Sequence, residues 1–195
     1  MGLKTPVING ARQELPCLES PEVNGARQAI SAVNKYVDGA WQKIWPLKNA
    51  MVFSSVISTG SVLPEYEYIP SANGSSAYYK VINKSANSTS SLGLILDIPL
   101  NAGESHTIEF TLSGKTTTAT AKNDGIAVYG RTENDTDILL ENFVSPTNGE
   151  KSIVFTPQNN VEHIILNLEV YGAVGVYHEG TLSDLVIDGT SYRFE

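Results

Sequence analysis

The sequence predicts an all-β chain, an antiparallel β-sandwich or jelly roll preceded by a small arm of β-hairpin repeats. Three observations point there. Residues 163–171 place Ile164, Leu166, Leu168 and Val170 on one side and Ile165, Asn167, Glu169 and Tyr171 on the other, since side chains alternate along a strand. Residues 105–112 repeat the pattern, with His106, Ile108, Phe110 and Leu112 opposed to Ser105, Thr107, Glu109 and Thr111. Finally, only 17% of residues are charged, and Ser, Thr, Asn and Gly dominate the polar positions instead. That mix suits short strands with tight turns and argues against a helical bundle.

At 195 residues the chain holds one full domain plus a short module. The expected division is an arm over 1–47 and a sandwich over 51–195. A net charge of −8 weighs against a nucleic-acid binder, which needs a basic face. No run of about 18 apolar residues occurs, so no membrane-spanning helix is expected. Cys17 stands alone, excludes an intrachain disulfide, and reads as an inert packing thiol. Residues 1–6 lack the apolar core of a signal peptide, and Pro6 stands where a myristoylation motif wants Ser or Thr. The expectation is a protein made in the cytoplasm that leaves the cell by lysis or within a particle.

The arm contains an internal repeat. Asn9-Gly-Ala-Arg-Gln recurs from Asn24 and again, more loosely, as Asp38-Gly-Ala-Trp-Gln. Asn-Gly and Asp-Gly are strong hairpin signals, because a type I′ turn needs positive φ at both central residues. The third copy should pair Tyr36 with Trp41, or Val37 with Ala40. Residues 28–36 also carry helical spacing, with Ala26, Ile30, Val33 and Val37 on one face and Asn24 as a cap, so helix and hairpin both stay open there. Hairpins this small are not stable alone in water. They must pack on another chain, on the following domain or on symmetry mates.

These repeats, ending in Tyr36-Val-Asp-Gly-Ala-Trp41, resemble the N-terminal segments of tailed-bacteriophage virion proteins from phages of Gram-positive hosts. The resemblance covers residues 6–47 and departs from the usual pattern in the Gln after each Arg and in spacers carrying Pro16 and Pro21. It implies docking on other virion proteins, assembly as a homo-oligomer (trimer or higher) and location in the virion. Trp41, Trp45, Tyr36, Arg12 and Arg27 are the docking candidates; Trp dominates interface hot spots.

Pro46 marks the end of the arm, since proline cannot donate to a ladder. Strands are then expected at 51–57 and 62–69 as a first pair, with Pro64 making the second an edge, and at 77–82. Residues 83–91, rich in Ser and Asn, read as an exposed loop. Further strands are expected at 92–100, 105–112, 126–132, 138–144, 151–156, 162–171 and 181–187, with a closing hairpin across Asp188-Gly189. Residues 113–122 fit strand or loop equally. About ten or eleven strands at such spacing make a sandwich or jelly roll. Residues 103–195 resemble carbohydrate-binding modules of the jelly-roll kind, in strand order and polarity.

No catalytic constellation emerges, so the chain is not expected to be an enzyme. His106, His163 and His178 lack zinc-ligand spacing, and His106 reads as a satisfied core histidine. Glu133, Asp135 and Asp137 have oxygens suited to calcium, but without the twelve-residue loop pattern they read as a solvated turn. No cofactor or metal is expected. Sugars bind where a flat aromatic face adjoins amide, carboxylate or guanidinium groups. Tyr129 and Arg131 share one strand face, and Asn167, Glu169 and Tyr171 share another. If those strands are neighbours, the five residues form a glycan-binding platform; otherwise the tyrosines line the outer sheet or a subunit contact. Tyr66, Tyr68, Tyr78 and Tyr79 are a second aromatic group.

The reading that results is a phage structural protein whose arm docks to the particle and whose sandwich projects as a tail, baseplate or fibre appendage touching cell-wall polysaccharide. The alternatives are a capsid decoration or head-fibre protein without a glycan role, and an accessory carbohydrate-binding module.

Overall fold

The computed structural model describes residues 22–23, 26–27, 33–37, 40–45 and 50–195. The chain divides into two units, Met1–Lys48 and Asn49–Glu195. In the first, β1 (Glu22–Val23) pairs with β2 (Ala26–Arg27) around the second Asn-Gly repeat. β3 (Val33–Val37) pairs with β4 (Ala40–Trp45), in a register that sets Tyr36 opposite Trp41 and Val37 opposite Ala40. Both expected pairs occur together, because Asp38-Gly39 is a two-residue connection. Residues 33–36, open between helix and hairpin by sequence, are strand; the first repeat, with Arg12, lies outside the described residues.

In the second unit the strands are β5 (Ala50–Ser58), β6 (Glu65–Pro70), β7 (Ser76–Ile82), β8 (Ser88–Leu100), β9 (His106–Thr117) and β10 (Ala121–Thr132). They continue as β11 (Asp137–Val144), β12 (Gly149–Phe155), β13 (Val161–Gly172), β14 (Tyr177–Ile187), β15 (Thr190–Ser191) and β16 (Arg193–Phe194). One sheet runs β11-β10-β13-β8-β5-β16 and the other β12-β9-β14-β7-β6, with β15 on β14. All pairings are antiparallel except β16 with β5, so this is an antiparallel β-sandwich.

The core lies between the sheets and follows the alternation of the sequence. Ile164, Leu166, Leu168 and Val170 of β13 are fully buried beside Leu92, Leu94 and Leu96 of β8. From the opposite sheet come Ile108, Phe110 and Leu112. In β14 the phase slips: Leu182 and Leu185 both face inward, because the register shifts between Ser183 and Val186, where Asp184 has φ 54°. A bulge of this kind inserts one residue and turns the next side chain to the other face.

Two expectations for the chain order are corrected. β5 and β6 do not pair; β5 joins β8 in one sheet and β6 joins β7 in the other. β6 is a sheet edge, in keeping with Pro64. Residues 83–91 are not an exposed loop: Asn83, Ser85, Ser88, Ser90 and Ser91 are buried, and β8 begins at Ser88. The reason is local satisfaction. Asn83 Oδ1 accepts from the Ser88 and Ser90 hydroxyls at 3.0 and 2.9 Å, while its amide donates to the Gly172 carbonyl at 3.0 Å. Polar groups go inside when they find partners there.

Candidate functional site

The outer face of the β11-β10-β13-β8-β5 sheet is set by the odd-numbered residues of β10 and β13. These strands are direct neighbours, so the condition for a shared platform is met. Their register pairs Arg131 with His163, Tyr129 with Ile165, Ala127 with Asn167, Gly125 with Glu169 and Asn123 with Tyr171. On the flanks, Asn142 stands beside Ala127 and Val144 beside Gly125, while Gly93, Ser91 and Thr89 of β8 stand beside Asn167, Glu169 and Tyr171.

Small residues keep this floor low. A Cβ on Gly93 would stand 2.8 Å from Ser55 Oγ and 3.2 Å from Asn167 Oδ1, so only glycine lets those side chains close over β8. Further along these strands lies an open cleft of about 240 Å³, lined mainly by Thr89, Asn123, Gly125, Asn142, Glu169 and Tyr171. Glu169 is half-buried, and burial alone raises its pKa above the usual carboxylate range. No hydrogen bond or ion pair to its carboxylate occurs among the described residues. Tyr129 lies near enough that, after burial itself, the Glu169 charge helps push the phenol's pKa up.

The five sequence candidates thus share one face but not one condition. Glu169 and Tyr171 line the cleft, Asn167 stands one step along β13, and Tyr129 and Arg131 lie towards the other end of the strands. Arg131 is engaged by Asp137 through Nε at 2.7 Å and an Nη at 3.1 Å. Tyr171 carries the Lys122 ammonium 5.5 Å from its ring centroid, a cation–π contact that occupies ring surface. Sequence reasoning missed Asn123, Asn142 and Thr89. None could be read from phase alone: Leu140 and Phe143 both pack on the core across a register shift in the β10–β11 pairing, so Asn142 faces out only because of that shift, and the other two needed the strand pairing.

Beneath the cleft lies a buried polar cluster that links the sheets. Asp124, on β10, is nearly inaccessible; its Oδ2 is 2.5 Å from Lys115 Nζ of β9 and 3.6 Å from His178 Nε2 of β14. His178 Nδ1 donates to the Glu169 carbonyl at 3.0 Å, and Tyr79 of β7 reaches Nε2 at 2.8 Å. His106 is a satisfied core histidine as expected, with Nδ1 2.7 Å from Asp188 Oδ2 and Nε2 donating to the Asn101 carbonyl.

Of the second aromatic group, Tyr66, Tyr68 and Tyr79 share one face of their sheet, with Tyr68 directly opposite Tyr79, and Tyr78 lies on the other face. Tyr79 is buried, Tyr68 donates to the Met51 carbonyl, Tyr78 donates to Glu179, and Tyr66 stacks on Phe53 with centroids 5.0 Å apart. Among the described residues no group of three His, Cys, Asp or Glu side chains suits a metal ion. Asp137 of the acidic turn is instead the partner of Arg131.

The fold and this face define an all-β sandwich with an open polar–aromatic cleft on one sheet. By sequence, no family model and no curated protein matches the chain. Among solved structures, it is similar to the enzymatically active domain of tailspike protein 4 of bacteriophage CBA120, at 11% identity and a TM-score of 0.46. That match covers 68% of this chain but only 19% of the tailspike chain. It is also similar to a family 16 carbohydrate-binding module, at 15% identity and a TM-score of 0.39, over 63% of this chain and 84% of that one. A third match is TmCBM61, solved in complex with β-1,4-galactotriose, at 14% identity and a TM-score of 0.35, over 69% and 88%.

Proposed function

We propose that the chain is a non-catalytic structural protein of a phage virion, whose sandwich binds a glycan on the outer face of β10 and β13. The observation that supports this best is the cleft, where amide, carboxylate and hydroxyl groups converge beside Tyr171 over Gly125. Sugar hydroxyls need such donors and acceptors, and sugar faces need flat apolar surface. The carboxylate of Asp124 lies beneath the floor and is held by Lys115, so Glu169 has no carboxylate partner in the cleft, which supports binding over acid–base chemistry.

In this reading the arm of residues 1–47 docks on other virion proteins through Trp41, Trp45, Tyr36, Arg12 and Arg27. The protein acts as a trimer or higher oligomer on the tail or baseplate, because linked copies turn feeble single sites into useful avidity. One observation favours a second reading, a capsid decoration or head-fibre protein without a glycan role. Arg131 and Tyr171 are already engaged by Asp137 and Lys122.

Sedimentation of the full-length protein with isolated Gram-positive cell walls separates the two. Under the first reading, wild type pellets with the walls, and Tyr129→Ala and Asn167→Ala pellet less while melting normally. Wild type left in the supernatant overturns the glycan role.

A further inference from the structure

We infer that the cleft selects a glycan carrying unblocked amino groups, with a sugar ammonium seated against the Glu169 carboxylate. This rests on the glycan reading above and names its substrate class. Two acidic residues border the cleft, Asp124 and Glu169, and no lysine or arginine does, but the Asp124 carboxylate turns inward beneath the floor. They are not equivalent. Asp124 already has its countercharge in Lys115 at 2.5 Å, so the cleft's uncompensated charge is that of Glu169.

That carboxylate is half-buried and has no donor or cation on it among the described residues. Lys122, at the rim, stands over the Tyr171 ring instead. A desolvated charge without a partner is costly, and a ligand that supplies the missing partner recovers that cost on binding. Sugar hydroxyls would do so in part. An ammonium does so more fully, since charge-assisted hydrogen bonds are about twice as strong as neutral ones. Uronate or phosphate groups would meet like charge in the same place. The surrounding groups, Asn123, Asn142, Thr89 and the Tyr171 hydroxyl, offer donors and acceptors that suit the hydroxyls of the same sugars. N-acetylation would remove the charge that Glu169 lacks.

The test is calorimetric titration of the full chain with three oligosaccharides of equal length and linkage: glucosamine with free amines, its fully N-acetylated counterpart, and neutral glucose. The expected result is a Kd for the free amine about tenfold or more below the other two. Glu169→Gln, which keeps the side chain's shape, should close that gap and leave the weaker Kd values in place. General attraction of a polycation to an acidic protein would survive Glu169→Gln, and a surviving gap overturns the inference. So does equal affinity for all three sugars in the wild type, which leaves the glycan reading standing. Failure of all three to bind removes both.

Discussion

Tyr79 donates its hydroxyl to Nε2 of His178 across 2.8 Å, with the two rings edge-on and their centroids 5.1 Å apart. The direction follows from the other nitrogen. Nδ1 faces the Glu169 carbonyl, which only accepts, so Nδ1 carries a proton; burial disfavours a second proton on the ring, which leaves Nε2 as the acceptor. The imidazole is therefore neutral, held in the interior between the two sheets.

Acid should consequently destabilise the sandwich through His178. Burial pushes its pKa down from 6.5 to about 4; Lys115 adds to the effect, while Asp124 and the Glu169 carbonyl oppose it. The folded value lies below the unfolded one, so the stability is present above pH 6.5 and drains away as pH falls towards about 4. The whole effect is about 3 kcal/mol. His106 works in the other direction: burial lowers its pKa, but the Asp188 hydrogen bond and charge and the Asn101 carbonyl raise it overall. Its contribution is complete below pH 6.5 and fades as pH rises through the raised value. Urea unfolding between pH 6.5 and about 4 tests the role of His178. A profile flat across that window, or one that Glu169-side variants but not His178→Gln alter, contradicts it.

The two faces of β13 should respond very differently to truncation. Leu168 is fully inaccessible between the sheets, whereas Asn167 points into the outer face beside Gly93. Leu168→Ala should cost about 2–5 kcal/mol, as for an emptied aliphatic site. Asn167→Ala should stay within about 0.5 kcal/mol. Denaturant midpoints of the two variants decide the matter, and equal small losses would mean that β13 is not central to the core.

Much of this was readable from residue order, and the limit is instructive. Ile164 to Val170 and His106 to Leu112 announce their buried faces because alternation is a local property of a strand. The hairpin pairs Tyr36–Trp41 and Val37–Ala40 follow from a two-residue Asp-Gly connection. What could not be read is whatever depends on two distant strands meeting. Asp124 looks like a turn residue before Gly125, yet its burial is made tolerable by Lys115, which arrives from the other sheet. Asn83 likewise looks like loop composition until its serine partners fold onto it. The five proposed platform residues were legible by face, but the engagement of Arg131 by Asp137 and of Tyr171 by Lys122 was not.

Removing residues 1–48 should leave a domain that folds by itself. Every strand pairing described for β5 to β16 stays within that unit, and among the described residues the members of the core cluster fall within 51–194. A fragment of residues 49–195 is expected to melt cooperatively, near the temperature of the full chain. Under the virion reading it should also fail to load onto particles. A fragment that is unfolded by circular dichroism refutes the first statement, and one that still incorporates refutes the docking role of the arm.

Gly125 offers the sharpest separation of folding from binding. It lies on the cleft floor between Val144 and Glu169, and its backbone is not in the left-handed region that would reserve it for glycine. A Cβ there would meet the Phe143 carbonyl oxygen at 3.5 Å, Asn142 Oδ1 at 3.7 Å and Glu169 Oε2 at 3.9 Å, all ordinary contacts. Gly125→Ala should therefore be tolerated, and lowering the entropy of the unfolded chain should even add about 0.4–1 kcal/mol of stability. The same methyl occupies the space between the Asn142 and Glu169 side chains, where a ligand would have to reach both. Affinity for the ligand that the wild type prefers should fall, and Gly125→Leu, which fills more of the cleft, should abolish it. Melting temperature and titration on the same preparations give both numbers. A stable Gly125→Leu protein that binds as well as wild type would show that the ligand does not enter this cleft.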